Sequence, residues 1–169
     1  MDASQRERGE RLVKVKGLID EDFLNYKKPS MYIAFPKCDF KCDRENGCKL
    51  CQNSSLAKSP DIEIFAEEIV RRYLDNPITE AIVCCGLEPM DTFEDLLALL
   101  KEFRKKTEDD FVVYTGYERD EIKEKIETLR DYPNVIVKFG RFRPNKKKHT
   151  DDILGVKLIG EQQYAERIS

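Results

Sequence analysis

Four cysteines, Cys38, Cys42, Cys48 and Cys51, stand as C-x3-C-x5-C-x2-C directly behind the apolar run Ser30 to Phe35. Thiolates are soft ligands, so a cluster of them on one short loop selects zinc or an iron–sulfur cluster. Zinc would use all four in a closed tetrahedral site; Cys48 and Cys51 supply a C-x2-C half, and the wider Cys38–Cys42 interval falls within the tolerated range. A cluster held by three thiolates leaves one iron open to a small molecule, which a closed zinc site does not. The fourth cysteine is then a spare thiol, a transient ligand, or the true third ligand in a neighbour's place. Cys84 and Cys85 are adjacent in an apolar run and point to opposite faces of a strand, which suits core packing rather than joint ligation. His149 is the single histidine, far along the chain from the cysteines, so neither a Cys-His nor a Ser-His-Asp arrangement can be built.

Two further loops could work with the thiols. Gly86-Leu87-Glu88-Pro89 reads as a strand-to-helix turn in which Gly86 relieves strain and Pro89 starts the helix. A carboxylate at such a strand end can accept charge-assisted hydrogen bonds from an ammonium group, which gives Glu88 a chemical use. Thr115-Gly116-Tyr117 is a second turn; Tyr114 and Tyr117 on either side of it read as packed residues with wet hydroxyls.

The elements that must carry these loops alternate. Ser30 to Phe35 is a buried strand ending at Pro36, and Leu12 to Leu18 a short strand or arm. Phe65, Ala66, Ile69, Val70, Tyr73 and Leu74 recur at helical spacing until Asn76-Pro77 stops the helix. Ala81 to Cys85 is a buried strand, and Asp91 with Glu94 forms a capping-box start to a helix reaching about Lys106. Phe111 to Tyr114 is a strand and Glu118 to Leu129 a helix with Ile122, Ile126 and Leu129 on one side. Strands at Asn134 to Phe139 and Ile153 to Ile159 follow, then a short C-terminal helix. Alternating strands and helices predict an α/β fold: an open partial (β/α) barrel with a mostly parallel sheet of about five or six strands. Ligands gather at the carboxyl ends of such strands, where all three loops would lie.

A length of 169 residues suits one domain. Residues 1–12 are densely charged and read as a disordered leader, leaving residues 13–169 as the single domain. With 30 basic and 33 acidic residues the net charge is −3, which gives no reason to expect a nucleic-acid or membrane partner. Apolar stretches are too short for a membrane span or signal peptide, so a cytoplasmic location is expected, where thiols stay reduced. The basic run Lys146-Lys147-Lys148-His149 reads as a solvated loop.

Taken in order, the motifs resemble a known family. A strand, then Cys38-x3-Cys42, then Leu50-Cys51-Gln52-Asn53, is similar to the radical S-adenosylmethionine enzymes, whose loop reads C-x3-C-x-φ-C with φ apolar or aromatic. One helix and one strand later, Gly86-Leu87-Glu88-Pro89 resembles that superfamily's GGEP segment, with Leu87 where the second glycine stands. Val113-Tyr114-Thr115-Gly116-Tyr117 resembles the YTGY segment of the small activating proteins of anaerobic ribonucleotide reductases. Gly140-Arg141-Phe142 is similar to their next strand-end motif, and Gln162-Gln163 stands where they carry Asn-Gln. The resemblance spans roughly Met31 to Ile168; six residues more than the family spacing separate Cys42 from Cys51.

What the resemblance implies is specific. A 4Fe-4S cluster would be held by Cys38, Cys42 and Cys51, with Cys48 as the inserted residue and Cys42, Cys48 and Cys51 as the competing triad. S-adenosyl-L-methionine would bind with Leu50 near the adenine and Gly86, Leu87, Glu88 and Pro89 along the methionine end. The protein substrate would be an anaerobic glycyl-radical ribonucleotide reductase, and a flavodoxin or ferredoxin would donate single electrons. Another small radical enzyme, such as a 7-carboxy-7-deazaguanine synthase, and a zinc-stabilised binding module are the alternatives.

Overall fold

A computed structural model of the protein describes residues 11–49, 51 and 54–169. Its centre is a six-stranded sheet in the order β10-β7-β6-β5-β3-β2. The four inner strands, β3 (Ser30–Phe35), β5 (Ala81–Gly86), β6 (Asp110–Tyr114) and β7 (Val135–Phe139), are mutually parallel. Each is a nearly unbroken apolar run, as a strand covered on both faces must be. The outer strands β2 (Gly17–Asp22) and β10 (Tyr164–Arg167) are antiparallel to their neighbours and leave the sheet open at both edges.

The two faces are covered differently. Three helices, α2 (Ala66–Leu74), α3 (Phe93–Arg104) and α4 (Lys123–Leu129), pack on one face. Ile69, Tyr73, Leu99, Phe103, Ile126 and Leu129 there join Ile33, Ile82, Val113 and Val137 from the strands. The other face carries a smaller core of Tyr26, Val83, Cys85, Val112, Ile136, Leu154 and Leu158. Its cover is a hairpin of β8 (Lys148–Asp151) and β9 (Val156–Ile159) with the loop around Tyr26, whose neighbour Lys27 donates from its amide to Leu154 O at 2.7 Å. A further pair, β1 (Leu12–Val15) with β4 (Ile62–Phe65), flanks the helical side.

Four details differ from the sequence expectation. The C-terminal segment is strand β10 rather than a helix: Tyr164, Ala165, Glu166 and Arg167 pair with β7, and main-chain partners there outweigh local helix preference. The strand expected over Ile153 to Ile159 starts only at Val156 and pairs with β8 outside the main sheet, because Asp151 turns the chain by accepting from the Ile153 and Leu154 amides. The helix expected from Asp91 begins instead after a 3-10 turn, Pro89–Thr92, and Asp91 makes no capping box because its carboxylate is taken by Tyr117 and by the Asp39 amide. The helix expected over Glu118 to Leu129 opens as a 3-10 turn, Arg119–Ile122, whose capping box joins Glu118 and Glu121.

Of the leader expected over residues 1–12, residues 1–10 lie outside the described residues. Leu12 opens β1, and Arg11 pairs with Glu94 and Asp95. No helix among the described residues is long and apolar enough to cross a membrane.

Candidate functional site

The carboxyl ends of β3, β5, β6 and β7 open into one cavity of about 550 Å³. Cys38, Cys42 and Cys51 line it, together with Gly86, Leu87 and Glu88 after β5, Thr115 and Gly116 after β6, and Lys138 at the end of β7. The three loops singled out from sequence therefore converge. Cys48 is exposed and turns its thiol toward Asn46 O at 3.6 Å; it does not line the cavity. Pro89 is buried at the start of its 3-10 turn, outside the lining. Cys85, placed in the core by sequence, is buried there and also reaches the cavity wall, whereas Cys84 belongs to the helical side. Leu50, expected near an adenine, and Gln52 and Asn53 after Cys51 lie outside the described residues.

Local geometry shapes the cysteine loop. Phe40 sits in the left-handed region at φ 54°, a conformation non-glycine residues adopt only when surroundings enforce it. It turns the chain into the short helix α1 (Lys41–Asn46), which carries Cys42. Phe40 N donates to Cys38 Sγ at 3.2 Å, Phe142 N to Cys42 Sγ at 3.3 Å, and Cys51 N to Asp43 Oδ1 at 2.8 Å. Burial pushes the Cys38 thiol up to about 11, against the pull of the Phe40 amide and the Lys41 charge. A metal that binds the sulfur must displace this proton to solvent.

Glu88 is the hub. It is 1 % exposed, and its carboxylate accepts from Lys41 Nζ at 3.2 Å, Gly116 N at 2.8 Å and Met90 N at 3.1 Å. One side chain thus ties the cysteine loop, the β5 loop and the β6 loop. Lys41, 3 % exposed, also meets Asp39 at 3.1 Å and lies 3.8 Å over the Tyr117 ring. Burial alone would lower its ammonium, but Glu88 and the neighbouring Cys38 and Asp39 outweigh it, and the net shift is upward. Gly86, at φ 86°, admits no side chain: a Cβ would stand 2.6 Å from Phe35 N. A Cβ on Gly116 would lie 3.5 Å from both Cys42 Sγ and Glu88 Oε2, so the β6 loop touches thiol and carboxylate together.

Lys138 was not anticipated from sequence, although a lysine inside the apolar strand Val-Ile-Val-Lys-Phe was a signal. It is 7 % exposed, and its ammonium donates to Gly140 O at 3.1 Å and Thr115 O at 3.4 Å. Among the described residues it forms no ion pair with a carboxylate. Burial pulls its ammonium down to about 8, with Glu88 and Cys42 acting in the opposite direction. A buried cation that faces a cavity, hydrogen-bonds only to carbonyls and forms no ion pair among the described residues is a ready partner for an anionic ligand group. Asn46 was missed as well, and Arg141, noted in sequence within Gly140-Arg141-Phe142, had no role assigned to it. Arg141 reaches Glu45, Gly116 O and Glu121 at 2.6–2.9 Å, and Asn46 bridges Cys42 O and Phe142 O.

This donor set suits an iron–sulfur cluster. Three thiols line one cavity, and the Cys38 and Cys42 sulfurs each receive a backbone N–H, which fits thiolate ligation of an iron–sulfur cluster. Among the described residues the donors close enough to share a single ion are Cys38, Asp39 and Asp91, within 4.8 Å of one another, which is not the thiol quartet of structural zinc. A family model described as a 4Fe-4S single cluster domain matches residues 31–158. No curated protein matches the chain.

Proposed function

The chain belongs to the family of 4Fe-4S single cluster domains, and on that premise we propose that it is a radical S-adenosylmethionine enzyme that activates an anaerobic ribonucleotide reductase by installing a glycyl radical. Supporting this reading most directly is the single cavity that joins three thiols, the Gly86–Glu88 loop, the Thr115–Gly116 loop and the buried Lys138. Cys38, Cys42 and Cys51 hold the cluster, and Cys48, exposed and outside the cavity lining, is the inserted residue. A 4Fe-4S cluster held there would supply one-electron reductive cleavage of S-adenosylmethionine to methionine, with a hydrogen atom removed from a glycine Cα of the partner protein to give 5′-deoxyadenosine.

The chain's own residues bind and orient. Gly86 and Leu87 line the amino-acid end of the ligand, and Gly86 allows that turn because a side chain there would strike the β3 backbone at Phe35 and Ala34. Lys138 meets the ligand carboxylate with the charge that no protein carboxylate neutralises. Glu88 is already engaged by Lys41, Gly116 N and Met90 N, so its task is to hold three loops in register. The cavity mouth is bordered by Ile19 and Leu24, both exposed, which leaves an open side for a protein loop to enter. A flavodoxin or ferredoxin delivers the electron, and the reaction proceeds in the cytoplasm.

Anaerobic reconstitution with iron and sulfide tests the reading. A brown protein that, once reduced, converts S-adenosylmethionine to methionine and 5′-deoxyadenosine, and gives a glycyl radical signal when mixed with a glycyl-radical reductase, is the expected result. Cofactor cleavage stimulated by a small pterin-like substrate and not by the reductase would favour the deazaguanine synthase alternative. A colourless protein with one bound zinc would refute both.

A further inference from the structure

The Cys38 and Cys42 thiols each receive a backbone N–H group, and they receive them by different means. The Phe40 amide reaches Cys38 Sγ from two residues away, within the same turn. The Phe142 amide reaches Cys42 Sγ across a separation of 100 residues. The segment that delivers it is held from three sides. Gly140 sits at φ 106°, where a Cβ would stand 1.9 Å from Gln162 O, so the chain there tolerates glycine alone. Buried Arg141 is anchored to Glu45 on α1, to Gly116 O after β6 and to Glu121. Asn46 Nδ2 then donates to Cys42 O at 2.8 Å and to Phe142 O at 3.0 Å, strapping together the two residues that share the N–H···S contact.

We propose, resting on the cluster reading above, that the Phe142 N–H is a redox-tuning contact: it sets the reduction potential of the cluster through the sulfur of Cys42. Adding one electron to a thiolate-ligated cluster places more negative charge on its sulfurs. An N–H dipole aimed at one of those sulfurs stabilises the reduced form more than the oxidised form, and the potential rises. The chain makes and breaks no bond in this step; the oxidised cluster gains one electron from the reductant, and the amide lowers the cost of holding it. The Phe40 amide acts on Cys38 in the same sense, but its place inside the cysteine loop ties it to the ligand turn itself. The Phe142 contact comes from another strand end, so it can be removed while all four cysteines remain.

The test is a potentiometric titration with dithionite, followed by absorbance and EPR, on the full chain after anaerobic reconstitution and without S-adenosylmethionine. Phe142→Pro deletes the N–H and is expected to shift the midpoint to more negative potential with iron and sulfide content unchanged. Phe142→Ala keeps the N–H and is expected to titrate as the wild type. If Phe142→Pro does not load, Asn46→Leu decides: it loosens the strap while leaving the amide, and a smaller shift in the same direction is expected. A wild-type midpoint in a fully loaded Phe142→Pro, or in Asn46→Leu where the proline variant is empty, overturns the proposal. So does an equal shift in Phe142→Ala, which would assign the effect to the ring. Failure of the cluster reading itself has a different signature: the wild-type chain would take up no iron and sulfide.

Discussion

The two ends of the parallel sheet both bury charge, and they resolve it in opposite ways. At the amino end, Asp110 opens β6 and accepts from Tyr26 Oη at 2.6 Å, Lys28 Nζ at 2.8 Å and Arg167 Nη1 at 3.1 Å. Beside it Tyr73 Oη donates to Asp109 at 2.7 Å. There the Asp110 carboxylate is neutralised by Lys28 and Arg167. At the carboxyl end, Lys138 is buried with only carbonyl partners among the described residues, and thiols line the same space. A closed network of this kind stabilises the fold, whereas a charge left without its counter-ion waits for something to bind.

The largest effect that would sharpen this contrast lies at the point where the carboxyl end is itself closed. Glu88→Ala leaves the buried Lys41 ammonium with only Asp39 and the Tyr117 ring and orphans the Gly116 and Met90 amides, and losing one partner of a buried pair costs about 3–5 kcal/mol. Urea unfolding of the metal-free protein measures it; a loss under 1 kcal/mol would mean that Lys41 escapes to solvent. At the amino end, Asp110→Ala leaves the Tyr26 hydroxyl unsatisfied at a cost of about 2 kcal/mol, with iron uptake unaffected.

The amino end also predicts a pH dependence. Burial pushes the Asp110 carboxyl up, but hydrogen bonds from Lys28, Tyr26 and Arg167 outweigh it and hold it down to about 2. An unfolded aspartate titrates near ~3.9, so the stabilisation is complete above that pH and is lost as pH falls from there through about 2. Acid unfolding midpoints of wild type and Asp110→Asn should converge in that window. Divergence there would show the network to be weaker than its geometry.

Lys138→Met gives a smaller effect of a different kind. It removes a buried charge that the fold does not neutralise, so stability stays level or rises, while S-adenosylmethionine affinity falls about tenfold, matching the ~1.5 kcal/mol of a charged hydrogen bond. Calorimetric titration of the reconstituted protein reads the affinity. Unchanged binding would return Lys138 to a structural role.

The same contrast explains what could be read from the sequence. The four inner strands were legible because strands covered on both faces must be continuous apolar runs, and Ser30 to Phe35 has the observed bounds. Strand β8, and β10 at the edge, were not, whereas β9 lies within the strand expected over Ile153 to Ile159. Lys-His-Thr-Asp and Tyr-Ala-Glu-Arg carry no such run, and their conformation depends on partners distant in sequence. Helix α1 escaped for the related reason that Lys41 to Asn46 has no apolar stripe. At the site, the cysteines, the Gly86–Glu88 loop and the Thr115–Gly116 loop were recognisable from residue type and order. The task of Glu88 was not, because Lys41, which engages it, lies 47 positions away. Nor was the Phe142 amide, since a backbone N–H has no letter in the sequence.

The central claim is that the cluster hangs on Cys38, Cys42 and Cys51, with Cys48 outside. Iron and sulfide content after anaerobic reconstitution of Cys42→Ala and Cys48→Ala, side by side, tests it most directly. Cys48→Ala should load as the wild type does and Cys42→Ala should lose the 4Fe-4S absorbance. A loaded Cys42→Ala beside an empty Cys48→Ala would contradict the account.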